Sequence, residues 1–183
     1  ADMAGREAFQ EIDYNSFFGS IAKWTVEIDD PNRVPEIISR AWSVALSGRP
    51  GPVIVALPET MLTAMTAALP CGPVTIPEPA PTADDGDQLA SLLATASRPV
   101  ILLGGTRWQD EAARQVETFA CAADIPVVAA FRFHDIIDNH SPCYVGDAGV
   151  GMLAYMKQLL TDADLILALN VRFDEMTTAG YSL

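Results

Sequence analysis

The sequence is poor in positive charge, in histidine and in cysteine. Eleven Lys and Arg face 24 Asp and Glu, for a formal net charge of -13 over 183 residues. That shortage argues against a nucleic-acid partner gripped through its phosphates; the balance reads as an acidic, solvated surface. The three cysteines, Cys71, Cys121 and Cys143, are odd in number and widely spaced. They make neither a disulfide framework nor a zinc spacing, and a reducing cytoplasm fits them best. No apolar run approaches the ~20 residues that a bilayer-spanning helix needs. The first residues, Ala1 to Glu7, carry neither the basic nor the apolar region of a signal peptide. They also lack an initiator Met and open without a strand, so the chain is expected to begin midway through a larger protein.

Half of the residues are hydrophobic and 19% are charged, which suits one substantial domain, or a domain plus part of another. The organising stretch runs from Ser97 to Phe131. Pro99-Val100-Ile101-Leu102-Leu103 is an apolar run too short for a helix, and Gly104-Gly105 ends it. Ala112, Val116, Phe119, Ala120 and Ala123 then recur at helical steps from Trp108 onward. Ile125 to Ala130 is a second apolar run. Continuously apolar strands are buried on both faces, so the stretch is expected to be a βαβ unit of a parallel sheet between helix layers.

Upstream, Asn15 to Phe18 suggests a short helix, and Lys23 to Ile28 has strand-forming residues. Asp29-Asp30-Pro31 opens a helix. Its apolar stripe is Val34, Ile37, Ile38, Ala41, Trp42, Ala45 and Leu46, and it stops at Ser47-Gly48. Val53 to Leu57 is a further buried-type strand, so residues 24–57 form a second βαβ-like unit. Five prolines crowd residues 66–83, the signature of an extended connector. Beyond it, Asp84 or Asp85 is expected to cap a helix from Gln88 to Ala96. Phe131 to Pro142 reads as a loop, Gly146 to Gly151 as a flexible turn, Met152 to Leu160 as a helix and Ala163 to Leu169 as a strand. Trp24, Trp42 and Trp108 read as packing residues. His134 and His140, near Asp135 and Asp138, fit no standard zinc pattern and read as solvated loop residues.

Three stretches in this order resemble thiamine-diphosphate-dependent enzymes of the acetolactate synthase type. They are Gln10-Glu11-Ile12-Asp13 with Ala22-Lys23-Trp24, Ser47-Gly48-Arg49-Pro50-Gly51-Pro52-Val53 with Leu57-Pro58, and Ala163-Asp164-Leu165 with Val171-Arg172-Phe173-Asp174. The resemblance covers essentially the whole chain. It implies an α/β fold of three-layer parallel sheets: a Rossmann-like central domain, incomplete, over residues 84–183. This is joined through a Pro-rich linker, 66–83, to the C-terminal part of a pyrimidine-binding-type domain, 1–65. By the same resemblance the glutamate that activates the cofactor precedes Ala1. The Gly-Asp-Gly…Asn-Asn motif that holds magnesium and the diphosphate follows Leu183. Gly146-Asp147-Ala148 with Asn170 imitates that motif but has one Asn rather than a pair, so no metal ligands are assigned and no catalytic residue falls within the chain.

The implied parent is a carboligase or decarboxylase of small 2-oxo acids, using thiamine diphosphate and Mg²⁺. It is expected to be a homo-oligomer in which the missing N- and C-terminal parts complete the active site. Phe9, Gln10 and Lys23 match positions that line the substrate channel in synthase-type relatives; the plain alternative is a core Phe9 and a surface Lys23. Gly104 and Gly105, with Arg172 and Asp174, match positions near FAD in flavin-containing relatives. Backbone amides at a helix start suit a phosphate, Arg suits a diphosphate and Asp a ribose hydroxyl. The match is imperfect. Leu103 stands where the family has a first Gly, Gly19 where it has a flavin-contacting Arg, and Ala148 where it has a His. FAD, another adenine nucleotide, or a plain tight turn beside an empty cleft all remain open. The alternative from a different class is a stand-alone nucleotide-binding or scaffolding domain without catalysis.

Overall fold

The computed structural model describes residues 5–183; the expectations for Ala1 to Ala4 lie outside the described residues. The chain divides into two compact units, Ala1–Ala80 and Pro81–Leu183. Each is an α/β unit built on parallel strands.

In the first unit, Asp13 caps helix α1, Tyr14–Phe18, by accepting from the Ser16 amide. Strand β1, Trp24–Glu27, pairs in parallel with β2, Val53–Ala56. Between them Asp30 accepts from the Asn32 amide and starts a 3-10 turn, Pro31–Arg33, which runs into helix α2, Val34–Leu46. The expected apolar stripe of α2 divides. Ile37 is buried, whereas Ile38 and Trp42 are 37% and 60% exposed. Trp42 is therefore not a core residue, contrary to the sequence reading. The stripe is wider than one small sheet of two strands can cover. A short helix α3, Glu59–Thr63, follows Pro58 and has no counterpart in the sequence reading.

The second unit opens with helix α4, Ala83–Thr95. Its cap is Thr82, whose hydroxyl accepts from the Asp85 amide while the Asp85 carboxylate accepts from the Thr82 amide. The expected cap at Asp84 or Asp85 is thus corrected: Asp85 is the reciprocal partner in a capping box, three residues inside the helix. Strand β3, Pro99–Leu103, helix α5, Asp110–Ala122, and strand β4, Val127–Ala130, follow in the expected order. The expected flexible turn at Gly146 is corrected as well. Tyr144–Ala148 is strand β5, parallel to β4 along the sheet edge. Gly146 and Asp147 hide it in the sequence, and the pairing slips between Val127 and Val128. Helix α6, Ala154–Asp162, and strand β6, Leu165–Leu169, complete the unit.

The sheet order is β5-β4-β3-β6, all parallel. Successive side chains of β3 point to opposite faces. Val100 and Leu102 join Val128, Ala130, Ala148, Met156 and Leu160 under α6. Ile101 and Leu103 join Ala120, Ile125, Val127, Ile137 and Cys143 under α5. Two cores on two faces of one sheet make the three layers that the sequence implied.

The start of β3 is tied to the turn before β6. The Asp164 carboxylate accepts from the Ser97 and Arg98 amides, both at 2.8 Å. These amides hold its pKa below the ordinary value of 3.8. A carboxylate so lowered stabilises the fold above its unfolded-state value and loses that contribution as pH falls through the folded one. We expect the stability gap between wild type and Asp164→Ala, measured by urea unfolding, to be full near about pH 6 and to shrink below about pH 4. A gap that ignores pH contradicts the lock. Ile101→Ala, at a residue with 0% exposure, should cost about 2–5 kcal/mol in the same assay.

Candidate functional site

Parallel sheets place their ligand-facing loops at the carboxyl ends of the strands, near the point where the strand order reverses. In the second unit the chain runs outward from β3 through β4 to β5, then returns to β6 on the other side. The reversal therefore lies between β3 and β6. It is filled by the protein itself. A Cβ on Gly105 would stand 2.3 Å from the Asn170 carbonyl oxygen and 2.5 Å from the Asn170 side chain. The Asn170 side-chain Nδ2 donates to the Thr106 carbonyl at 2.8 Å, and the Trp108 indole N–H donates to the Gly104 carbonyl at 2.8 Å. Gly104 packs on Ala130 and Val171. Close packing at both glycines and the left-handed φ of +73° at Gly105 favour glycine here.

The open space lies one strand over, where β3 and β4 end. A cleft of about 390 Å³ is lined by Gly105, Arg107, Trp108, Arg132, Phe133 and Asp135, among others. Arg107 and Arg132 both hold left-handed φ values, +68° and +72°. A non-glycine residue rarely adopts that conformation outside sites that constrain it. The Arg132 guanidinium stands 4.9 Å over the Phe131 ring. Two arginines on one cleft, Arg132 of them over an aromatic ring, can hold an anionic, planar group. Nothing in the sequence marked either one, because neither belongs to a motif and φ cannot be read from residue type.

The residues singled out for a flavin lie just beyond the ends of the paired strands β3 and β6. Gly105 borders this cleft, whereas Arg172 and Asp174 leave the end of β6 and are not among its lining residues. The Asp174 carboxylate accepts from the Thr177 amide at 2.9 Å, which holds its pKa below the ordinary range. Gly104 and Gly105 lie against Val171 and Asn170, the residues just before Arg172.

The metal-like motif is also dispersed. Asp147 lies on β5 and Asn170 follows β6, at opposite edges of the four-stranded sheet. Three strand spacings of ~4.8 Å put them roughly 14 Å apart, too far to share an ion. Among the described residues no group of three or more His, Cys, Asp or Glu is placed to hold a metal. His134 and His140 are exposed loop residues.

In the first unit, Phe9 is 93% exposed, and Gln10 is exposed with a φ of +61°. The Lys23 ammonium donates to the Ser47 and Arg49 carbonyls at 2.7 and 3.0 Å, and its stem lies over Gly51. It thus closes the end of α2 against the start of β1. The same unit carries an apolar groove of about 720 Å³, in which Val34, Ile38 and Trp42 of α2 face Pro70, Cys71 and Pro73.

We expect Gly105→Ala to cost more than about 1 kcal/mol in thermal unfolding, since Ala resists a positive φ and Asn170 occupies the space. Gly86→Ala is the control. Beyond its chain neighbours and the helix's own backbone, no atom lies within 4 Å of its Cβ position in α4, so it should stabilise by about 0.5–1 kcal/mol.

The chain is 33% identical over 196 residues to the mitochondrial acetolactate synthase of Schizosaccharomyces pombe, covering 98% of this chain and 29% of that protein. It is 31% identical to the sulfoacetaldehyde acetyltransferase of Rhodobacter capsulatus, covering 98% of this chain and 30% of that protein. It is 27% identical to the acetolactate synthase large subunit of Corynebacterium glutamicum, over 96% of this chain and 29% of that subunit. The chain therefore spans about 30% of the length of these curated relatives. Residues 87–183 match the family described as "Thiamine pyrophosphate enzyme, central domain". A three-layer parallel α/β unit of matching extent, and a likeness that continues through the first unit, together place the chain in the thiamine pyrophosphate enzyme family, among sequences of the acetolactate synthase type.

Proposed function

We propose that this chain is a segment of a thiamine-diphosphate-dependent carboligase or decarboxylase of small 2-oxo acids, and that it supplies scaffold and channel wall rather than the reacting groups. The observation that carries the reading is the end-to-end likeness to much longer acetolactate synthases. Thiamine diphosphate, when bound with Mg²⁺, supplies the carbanion chemistry. By the family resemblance, its ligands are proposed to come from parts of the parent enzyme outside residues 1–183. The second unit is the central domain over 84–183, residues 66–83 are the linker, and residues 1–65 are part of the pyrimidine-binding-type domain. Among the described residues of the first unit, only Ile28, Ile37 and Ala56 are buried apolar residues. So thin a core supports the view that further sequence of the same enzyme packs on it.

Phe9, Gln10 and Lys23 are proposed to line one wall of the substrate channel. Lys23 is already held by two carbonyls and retains one ammonium N–H for a carboxylate. A homo-oligomeric parent in the cytoplasm completes the proposal; in the described structure, no helix is long and apolar enough to cross a membrane.

The cleft between Arg107 and Arg132 favours one second reading: an adenine nucleotide without redox chemistry, held by its diphosphate on the second unit. It is preferred to FAD because Arg172 and Asp174 do not line this cleft.

Residues 1–183, assayed with thiamine diphosphate, Mg²⁺ and pyruvate, should show no tight cofactor binding and release neither carbon dioxide nor acetolactate. Turnover by this chain alone overturns the proposal. Purified protein should be colourless in the flavin bands. Equilibrium dialysis with ADP decides the second reading: binding that Arg132→Ala removes supports it, and no binding to wild type refutes it.

A further inference from the structure

Two of the three cysteines, distant in sequence, meet in the fold. Cys121 lies in the last turn of α5, and Cys143 immediately precedes β5. A tight turn brings the chain from α5 into β4: the Ile125 amide donates to the Ala120 carbonyl at 2.9 Å. The Val127 amide then donates to the Cys143 carbonyl at 2.8 Å, which fixes Cys143 beside the start of β4. The result is a chain of three polar side chains. Ser141 Oγ stands 3.6 Å from Cys121 Sγ and 3.3 Å from Cys143 Sγ. Cys143 Sγ also reaches the Glu117 carbonyl at 4.0 Å. Cys121 is exposed, whereas Ser141 and Cys143 are each only 7% exposed. A cavity of about 210 Å³, lined by both cysteines with Asp124, Ile125, Pro142 and Val145, opens beside them. It has room for a small oxidant.

We propose that Cys121 and Cys143 form a peroxide-responsive dithiol, in which hydroperoxide oxidises Cys121 and Cys143 then closes an intramolecular disulfide with it. The environments divide the two roles. Hydrogen bonds from Cys143 and from Ser141 push the Cys121 thiol down, which favours the nucleophilic thiolate. Burial, and then the bond to Cys121, push the Cys143 thiol up, as suits a resolving partner kept protonated until it is used. In the first step the Cys121 thiolate attacks one peroxide oxygen. The O–O bond breaks, an S–O bond forms, and hydroxide leaves to take up the proton that Cys121 had lost. In the second, Cys143 sulfur attacks Cys121 sulfur. The S–O bond breaks, and the hydroxyl leaves as water with the Cys143 proton, for which Ser141 Oγ is the bridge. Two thiols and one hydrogen peroxide give one disulfide and two waters; the thiols lose two electrons and the peroxide gains them. The closed bond ties the end of α5 to the head of β5.

The test treats the reduced full chain with one equivalent of hydrogen peroxide, blocks remaining thiols with N-ethylmaleimide, and maps peptides without reduction. The expected result is a loss of two hydrogens in the intact mass, a linked pair of peptides carrying Cys121 and Cys143, and an alkylated Cys71. Dithiothreitol should reverse the link. Cys121→Ser, a change at an exposed position that leaves the core intact, should abolish it. In Cys143→Ala, dimedone should trap sulfenic acid on Cys121. The proposal is overturned if both Cys121 and Cys143 remain alkylated after peroxide, if Cys121 advances to sulfinic acid in wild type without a link, or if the link runs through Cys71.

Discussion

The second unit depends on the burial of β3 on both faces. Val100, Ile101, Leu102 and Leu103 are 0–3% exposed, and each such side chain contributes about 1.5–3 kcal/mol when it leaves water. Because neighbours in the strand face opposite ways, this one segment feeds both cores, under α5 and under α6. Hydrogen bonds to β4 on one side and β6 on the other then fix where those strands end. The positions of the loops at the carboxyl edge follow. Gly104 and Gly105 turn where Asn170 and Val171 already stand, Trp108 staples the turn back to the Gly104 carbonyl, and Arg107 and Arg132 are carried to the rim of one cleft.

The first unit has no comparable segment. Two short strands and one long helix bury few side chains, and a two-stranded sheet by itself is marginal in water. Phe9, Phe17, Leu62, Met65 and Leu69 are each 65% exposed or more. Its order rests more on polar ties: the Asp13 and Asp30 caps, the Lys23 ammonium between two carbonyls, and the Arg40 guanidinium 4.6 Å over the Trp24 ring. The contrast between the units is a contrast in apolar burial.

Local patterns were legible in both units: β1, α2 and β2 lie within the βαβ-like unit read over residues 24–57. The runs at 99–103, 125–130 and 163–169 are apolar enough to have only one stable place, the middle of a parallel sheet, and they form β3, β4 and β6. Strand β5 was not legible, because Tyr-Val-Gly-Asp-Ala has no apolar run and owes its conformation to a neighbour, β4. The capping box at Thr82 and Asp85 was present in the residues but obscured by the adjacent acidic pair. The glycine turn was legible as a turn. That Asn170 fills its open side was not, since that contact joins strands distant in the chain. The same holds for the meeting of Cys121 with Cys143 and for the left-handed arginines, which are products of tertiary packing with no local signal.

Amide hydrogen exchange tests the central claim most directly, because it reads the stability of each strand separately. If β3 is the element on which the second unit depends, the amides of Val100 to Leu103 should be the slowest in the chain and should exchange only through global unfolding of that unit. Exchange of those amides as fast as that of the Thr106–Gln109 turn, or slower exchange in β1 and β2 than in β3, would contradict the account.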